Sequence, residues 1–482
     1  MDFRPVLYIV GFLLSALSII MCIPGLVDAY FGNEEWQIFI FSAIISLFVG
    51  IVLILANKTE SFSLTIRQAF LLTTLSWVFI ALFGSIPFIF SNLKLSFTNA
   101  FFESMSGITT TGSTIISGLD NLQHGILLWR ALLQWIGGIG IIVIAIAILP
   151  ILKIGGMQLF HAEASDTETS EKVLPRAAQI ASAISVIYFL LTIICAFLLW
   201  YFGMSIFDAI AHSMTTIATG GFSTSDLSIA KFNNINIEIV ISIFMILGSL
   251  PFVLYLQTFR GNIFSLFKDD QVKVFLSLVF FSVFIVTFWT NQTSINFFEN
   301  FRSAFFNTIS VFTGTGYTTQ NFNNWGSFII ILFLFLMLVG GCAGSTTCGI
   351  KIFRLQILYQ TAKVQIFKLL QPHSVMVPKY NKIQISESIS SSVMGYFFIF
   401  IISYIIITLI LSFLGNDFLT SLSGAATSIA NVGPGLGNVI GPTKTFAQIS
   451  DSSKWVLIIG MLIGRLELFA IIVLLTPLFW KN

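Results

Sequence analysis

Four short glycine turns, each without a charged residue and each set between a brief apolar segment and a long one, constrain this chain more than any other feature. The third is the clearest. Thr313-Gly314-Thr315-Gly316-Tyr317 follows the apolar run Phe301 to Phe312 and precedes Phe328 to Val339. Aligning the four turns on Gly112, Gly220, Gly316 and Gly433 puts Thr111, Thr219, Thr315 and Val432 just before the glycine. Thr110, Ala218, Gly314 and Asn431 stand one place earlier. Fifteen positions upstream of the glycines lie Phe97, Ser205, Phe301 and Phe418, and twelve upstream lie Ala100, Asp208, Ala304 and Ser421. Two copies match at greater length, Phe97-Thr98-Asn99-Ala100-Phe101-Phe102 against Phe301-Arg302-Ser303-Ala304-Phe305-Phe306. The glycines are 108, 96 and 117 residues apart. That period is too long for a solenoid unit and suits two membrane helices plus a loop.

The medium in which such loops sit follows from composition. Of 482 residues, 56% are hydrophobic and 9% are charged, against about 25% charged in soluble domains. Apolar runs of 18 or more residues recur, each long enough to cross a hydrocarbon core of about 30 Å. The chain therefore reads as an all-α polytopic membrane protein whose surface faces the lipid bilayer. A net charge of +2 gives no reason to expect nucleic acid. Cys22, Cys195, Cys342 and Cys348 fall in or beside apolar segments and read as small buried hydrophobes, not a disulfide framework. The first apolar segment lacks a small-residue cleavage site and is soon followed by a second, so it reads as an anchor.

Two helices, near Val6–Val27 and Trp36–Ala56, come first. Four modules follow, each a helix, a short segment, a glycine loop and a second helix. The division is residues 1–62 for the N-terminal pair, then 63–172, 173–268, 269–384 and 385–482 for the repeats, with ten spans in all. The short segments, of about 12 residues, would be roughly 18 Å long as helix. They cannot span a membrane, so each dips in and returns through its loop. Bare backbone at that depth is tolerated only if it is buried in protein or lines a watery cavity. Filters of cation channels are rings of such carbonyls, which replace the ion's water shell. A half-helix also aims its negative C-terminal end at the loop, favouring a cation. No Lys, Arg, Asp or Glu occurs in the four triplets. That argues against an anion pore, which needs basic rings, and a divalent pore, which needs acidic ones. The candidate ion-binding residues are Thr110, Thr111, Gly112, Ala218, Thr219, Gly220, Gly314, Thr315, Gly316, Asn431, Val432 and Gly433, through carbonyls and threonine hydroxyls. With ten spans, sixteen of the 23 Lys and Arg residues fall on one side. Both termini are then cytoplasmic and the loops face outward.

At this point the residues resemble a known family. Trp129-Arg130-Ala131-Leu132-Leu133-Gln134-Trp135-Ile136-Gly137-Gly138-Ile139-Gly140, Gly156-Met157-Gln158-Leu159-Phe160, Gly340-Gly341-Cys342-Ala343-Gly344-Ser345-Thr346-Thr347 and Asn431-Val432-Gly433-Pro434-Gly435 look like the TrkH/KtrB/HKT superfamily of potassium transporters. The likeness covers essentially the whole chain. The two extra N-terminal helices are like those of the bacterial TrkH branch. The resemblance implies a pseudo-fourfold pore within one chain, a homodimer, and a cytosolic nucleotide-binding regulatory subunit of the TrkA type. Nucleotide sensing would reside in that partner, since this chain has no phosphate-binding glycine loop. In the superfamily, serine in place of the first filter glycine goes with sodium transport. Glycine stands at all four aligned positions here, which favours K+ as the transported ion.

Two further features bear on gating. Residues 340–349 interrupt the second helix of the third repeat with glycines and hydroxyls, and Lys351 follows. This composition fits an unwound segment as well as close helix packing through the Gly340/Gly344 pair. The resemblance implies an intramembrane loop under the filter, with Gly344, Ser345, Thr346, Thr347, Gly349 and Lys351 in the gate. Arg465 lies in the strongly apolar Trp455–Leu475, where a charge faces a cavity or a partner. Glu467 offers an ion pair. The resemblance instead places Arg465 at the pore, repelling cations. Asp208 and His212 lie one turn apart; capping and packing is the preferred reading, and a proton site the alternative. Glu103 either attracts cations or hydrogen-bonds behind the filter. His124, His161, His212 and His373 are dispersed and suggest no metal site. No catalytic set is visible, so the chain is expected not to be an enzyme. The polar stretches 153–176 and 351–382 either dock a partner or only enforce topology. The expected function is gated potassium uptake across a bacterial inner membrane. The alternatives are sodium or mixed-cation transport and a non-conducting assembly subunit.

Overall fold

The computed structural model describes residues 1–58, 64–147, 173–262, 264–291, 296–373, 376–381 and 383–481. The motif Gly156–Phe160, His161 and the stretch 153–172 lie outside them. The described residues are mostly helical, with one two-residue hairpin among them pairing Lys379–Tyr380 with Ile383–Gln384.

Among the described residues, seven helices are long and apolar enough to cross a membrane: Arg4–Tyr30, Trp36–Ala56, Ile66–Phe90, His124–Val143, Gln179–Tyr201, Asp270–Thr290 and Glu387–Phe413. Two more spans are broken, bending by 93° between Ile235–Gly248 and Phe252–Phe259 and by 116° between Asp451–Arg465 and Phe469–Leu475. The tenth element is Ser327–Leu338. It is too short to cross alone, and it resumes as Ile352–Leu370 after the non-helical stretch 339–351. The expected ten-span chain is thus seven intact spans, two bent ones and one interrupted by a loop.

The N-terminal helices are joined through small residues. Gly11 and Gly50 face each other so closely that a Cβ on Gly11 would lie 2.8 Å from the Gly50 carbonyl, which is how helices gain contact where lipid removes any hydrophobic drive. Along the first helix Val6, Val10, Leu14 and Met21 are fully buried, while Phe12, Ile19 and Leu26 face outward.

Four half-helices set the centre: Phe97–Ile108, Ile206–Ile217, Phe297–Phe312 and Phe418–Ala430. Each opens on a side-chain cap, in which Ser96, Ser205, Asn296 or Asp417 accepts a backbone N–H of the first turn. The third begins four residues before the expected Phe301, because Asn296 supplies its cap. Unlike the spans, these segments bury hydroxyls. Ser104, Ser106, Thr215, Thr216, Thr308, Ser310, Ser423 and Thr427 are all shielded, and several bond back to carbonyls three or four residues earlier, as Thr215 does to Ala211 and Thr427 to Gly424. The polar interior of the molecule is therefore at its axis, where the half-helices converge.

Candidate ion pathway

Each half-helix stops because the next residues leave the right-handed region. Thr110 (φ 54°), Thr219 (φ 50°), Gly314 (φ 73°) and Asn431 (φ 52°) all adopt the left-handed conformation, which ends a helix. Two residues further on, Gly112 (φ 82°), Gly221 (φ 76°) and Gly316 (φ 82°) do so again. This corrects the alignment in the second repeat. Gly221, not Gly220, occupies the place of Gly112 and Gly316, and Ile206, not Ser205, corresponds to Phe97. The backbone hydrogen bonds agree, since Thr111 N–H reaches Ser106 and Gly220 N–H reaches Thr215, each five residues back.

The four loops touch in cyclic order. A Cβ on Gly112 would collide with the Gly220 carbonyl, and one on Gly221 with the Thr315 carbonyl. On Gly316 it would lie 2.9 Å from Gly433 N, and on Gly433 3.2 Å from the Gly112 oxygen. Loop four closes onto loop one through Asn431 Nδ2, which donates to Thr111 Oγ1 at 2.9 Å, and Ser113 Oγ, which donates to the Gly433 carbonyl at 2.8 Å. A second ring of contacts repeats the order farther along the chain. Asp226 accepts from Gly118 N–H at 2.8 Å, Ala230 N–H donates to Thr318, Asn323 Nδ2 donates to Gly437 at 2.9 Å, and Phe446 N–H donates to Thr114 at 2.8 Å. At that rim Asp120 pairs with Lys231 at 2.9 Å. Partial burial would raise the Asp120 carboxyl, but the lysine, Ser225 and the Asp226 N–H hold it below the usual range. The candidate ion-binding residues of the four loops are thus brought together, with no charged side chain among them.

Behind the ring, polar side chains fix each loop. Glu103 accepts from Arg130 Nε at 2.8 Å, Thr114 Oγ1 at 2.9 Å and Ile115 N–H at 3.0 Å. Arg130 also donates to the Ser223 carbonyl at 2.8 Å and lies over the Phe222 ring, so this fully buried pair ties loops one and two. One turn along, Gln134 donates to the Gly220 carbonyl at 2.7 Å and accepts from Phe222 N–H at 3.0 Å. His212 reaches Ser223 Oγ at 3.0 Å, and Asp208 accepts from Thr224 at 2.6 Å. Both therefore hold the second loop, the capping and packing role expected of them. The Tyr317 hydroxyl sits among Thr215, Thr216 and the His212 carbonyl of the second half-helix. The sequence reading gave Gln134, Ser113 and Tyr317 no role of their own. Gln134 and Arg130 had a signal, since they are polar, one turn apart, and set in an otherwise apolar helix.

Residues 339–351 form a buried loop and not a packed helix seam. Its ends are joined by Gly340 N–H to Ile350 (2.9 Å) and Ile350 N–H to Leu338 (3.0 Å). The breaks in neighbouring helices supply its other partners. Cys342 N–H donates to Ser249, Thr346 N–H and hydroxyl donate to Gly248, and the Gly344 carbonyl accepts from Phe252 N–H. Lys351 is buried and donates to the Thr347 carbonyl. Arg465 donates to the Thr346 carbonyl at 3.0 Å, to Cys348 Sγ at 2.9 Å and to the Gly137 carbonyl at 2.8 Å. Glu467 does not pair with it. The backbone turns left-handed at Glu467 and Leu468, and Glu467 instead meets Arg354, whose guanidinium lies 3.7 Å over the Tyr396 ring. Among the described residues no carboxylate forms a direct ion pair with Arg465 or Lys351, though Glu467 lines the same cavity. A small cavity lies beside the loop, lined by residues including Ser345, Thr347, Tyr396 and Arg465.

Residues 35–480 match the family model TrkH, described as cation transport protein. The chain belongs to the TrkH family. It is 43% identical to the Trk system potassium uptake protein TrkI of Halomonas elongata, over 99% of this chain and 97% of the relative. It is 38% identical to the Trk system potassium uptake protein TrkH of Escherichia coli across the full length of both. The crystal structure of the potassium transporter TrkH from Vibrio parahaemolyticus superposes with a TM-score of 0.92 at 36% identity, covering both chains completely. This TrkH-family chain is therefore a multi-pass membrane protein, as its spans require.

Proposed function

We propose that this protein carries potassium across the membrane through a gated, channel-like pore. The observation that carries the reading is the closed ring of four uncharged loops, each at the negative end of a half-helix, on a chain whose relatives are named for potassium uptake. Carbonyls of residues 110–112, 219–221, 314–316 and 431–433, together with threonine hydroxyls, would replace the ion's hydration shell. On the register described above Gly221 enters the expected set and Ala218, which matches Thr109, leaves it. The loop 340–349 and Arg465 obstruct the passage beneath, and opening requires that loop to leave. Entry is downhill when the loops face outward, each charge gaining about 2.3 kcal/mol per 100 mV. We place the protein in a bacterial inner membrane with both termini inside, as a homodimer gated by a cytosolic TrkA-like nucleotide-binding subunit. Each of residues 63–172, 173–268, 269–384 and 385–482 supplies a quarter of the pore, and residues 1–62 flank it. The chain acts as a transporter and not as an enzyme.

One observation favours a mixed-cation alternative. The Gly220 and Gly433 carbonyls accept hydrogen bonds from Gln134 and Ser113, which reduces the oxygens available to the ion. Uptake of a radioactive potassium analogue into liposomes, competed with potassium or sodium, tests both. Competition by potassium alone supports the proposal, and equal competition supports the mixed reading. No uptake in the gate-opened Arg465→Ala protein refutes both.

A further inference from the structure

The second loop differs from the other three in what it touches. Thr110, Thr219, Gly314 and Asn431 share one backbone position, and among the described residues Thr219 is the one whose side chain bonds the loop 340–349. Its hydroxyl donates to Thr346 Oγ1 at 3.1 Å. Thr346 spends its own proton on the Gly248 carbonyl at 2.9 Å, and its carbonyl accepts from Arg465 at 3.0 Å. A continuous chain therefore runs from the filter through Thr219 and Thr346 to the arginine. Gly248 is the crossing point. A side chain there would meet Ile217, Thr219 and Thr346 within 3.4 Å, so filter, loop and broken helix converge without space between them.

Proton accounting gives the consequence. A threonine hydroxyl has one proton and two lone pairs. While the loop is in place, the Thr219 hydroxyl reaches both Thr346 Oγ1 at 3.1 Å and the Ala218 carbonyl at 2.8 Å, and since Thr346 gives its own proton to Gly248, only the Thr219 proton can join the two hydroxyls. Once the loop leaves, the Ala218 carbonyl, 2.8 Å away, takes that proton, and the lone pairs face the space the loop has vacated. The left-handed backbone of Thr219 (φ 50°) holds the side chain at that spot in either state. We infer that Thr219 is shared between gate and filter, sealed by Thr346 when the gate is closed and released as a cation ligand when it opens. This rests on the conducting reading above. Linkage is reciprocal: if opening creates a ligand for the ion, an ion at that position favours the open gate by the same factor.

The test uses the full-length protein in liposomes, with potassium and sodium uptake measured separately. In the otherwise native chain, Thr219→Val and Thr346→Val both remove the Thr219–Thr346 bond; Thr219→Val raises basal flux about three- to tenfold, and Thr346→Val, which also loses the bond to the Gly248 carbonyl, raises it at least as much. The double variant should leak no more than Thr346→Val alone, because adding Thr219→Val breaks no further bond to the loop. In the Arg465→Ala background, where the loop is already freed, Thr219→Val lowers the potassium-to-sodium ratio about three- to tenfold. Thr346→Val leaves that ratio unchanged, and Thr219→Ser, which keeps the hydroxyl, restores it. Leaks that multiply in the double variant, or a ratio that Thr219→Val does not move, overturn the inference. An Arg465→Ala protein that passes no cation refutes the conducting reading itself, a different outcome from either.

Discussion

Replacing Arg465 by alanine should open the pathway, and the structure gives the size of the effect. The side chain contributes two separable things. One is charge. At a separation of about 8 Å, a guanidinium repels a cation by about 2 kcal/mol at an effective dielectric constant of about 20, which lowers its occupancy about thirtyfold. The other is attachment. Two of the three Arg465 contacts, to the Thr346 carbonyl and Cys348 Sγ, hold the loop, and the third anchors the guanidinium to Gly137. Charge-assisted bonds contribute about 1.5 kcal/mol or more each. Water entering the adjacent cavity replaces part of that, so the alanine variant should raise basal potassium flux by roughly 30- to 100-fold. Arg465→Lys keeps the charge but loses the planar fork that reaches Thr346 and Gly137 at once, and should leak only a few fold. Arg465→Gln removes the charge and keeps some donors, and should fall between. The assay is tracer uptake into liposomes without any regulatory subunit, on protein that elutes as a single sharp species. Unchanged or reduced flux in Arg465→Ala refutes the gate assignment. A lysine variant as leaky as alanine refutes the electrostatic part alone.

Other expectations follow from the same geometry. Gly316→Ala would put a methyl 2.6 Å from Pro434 Cδ at a φ of +82°, so uptake should fall at least tenfold; Gly118→Ala is equally left-handed but meets nothing within 4 Å and should keep its transport. Removing one partner of the buried Glu103–Arg130 pair leaves a bare charge behind the filter and costs about 3–5 kcal/mol. Glu103→Leu should therefore lower the thermal unfolding temperature in detergent, and Arg130→Met added to it should recover part of the loss. Glu35 sits outside the spans, where burial and the neighbouring Asp28 raise its carboxyl above 4.5 despite the Asn92 N–H. The folded state thus binds the proton more tightly than the unfolded chain, and ionised Glu35 costs stability at neutral pH. Glu35→Gln should be more heat-stable at pH 7, with the advantage shrinking as pH falls toward 4.5; an advantage that grows on acidification contradicts this.

Much of the architecture could be read along the chain because it is local. Hydropathy over some twenty residues decides a span, and a cap such as Ser96 or Asp417 followed by some dozen small and apolar residues decides a half-helix. The glycine loops were visible for the same reason. Their exact phase was not. Both Gly220 and Gly221 follow a threonine-rich half-helix, and composition cannot say which one takes the positive φ. The contact with Thr315 of the next repeat decides it. The interrupted helix was ambiguous too, since glycines permit tight packing as readily as unwinding.

The sequence by itself determined that this is a polytopic helical membrane protein with four uncharged glycine loops and a glycine-rich stretch at residues 340–349, since each of these depends on residues near one another. Only the tertiary structure decided that the loops close into a ring and that Arg465 binds Gly137 and Thr346, 328 and 119 residues away, while its near neighbour Glu467 turns to Arg354. Residues two apart do not face each other on a helix, and a buried charge in lipid takes whichever partner the packing of distant segments brings within reach.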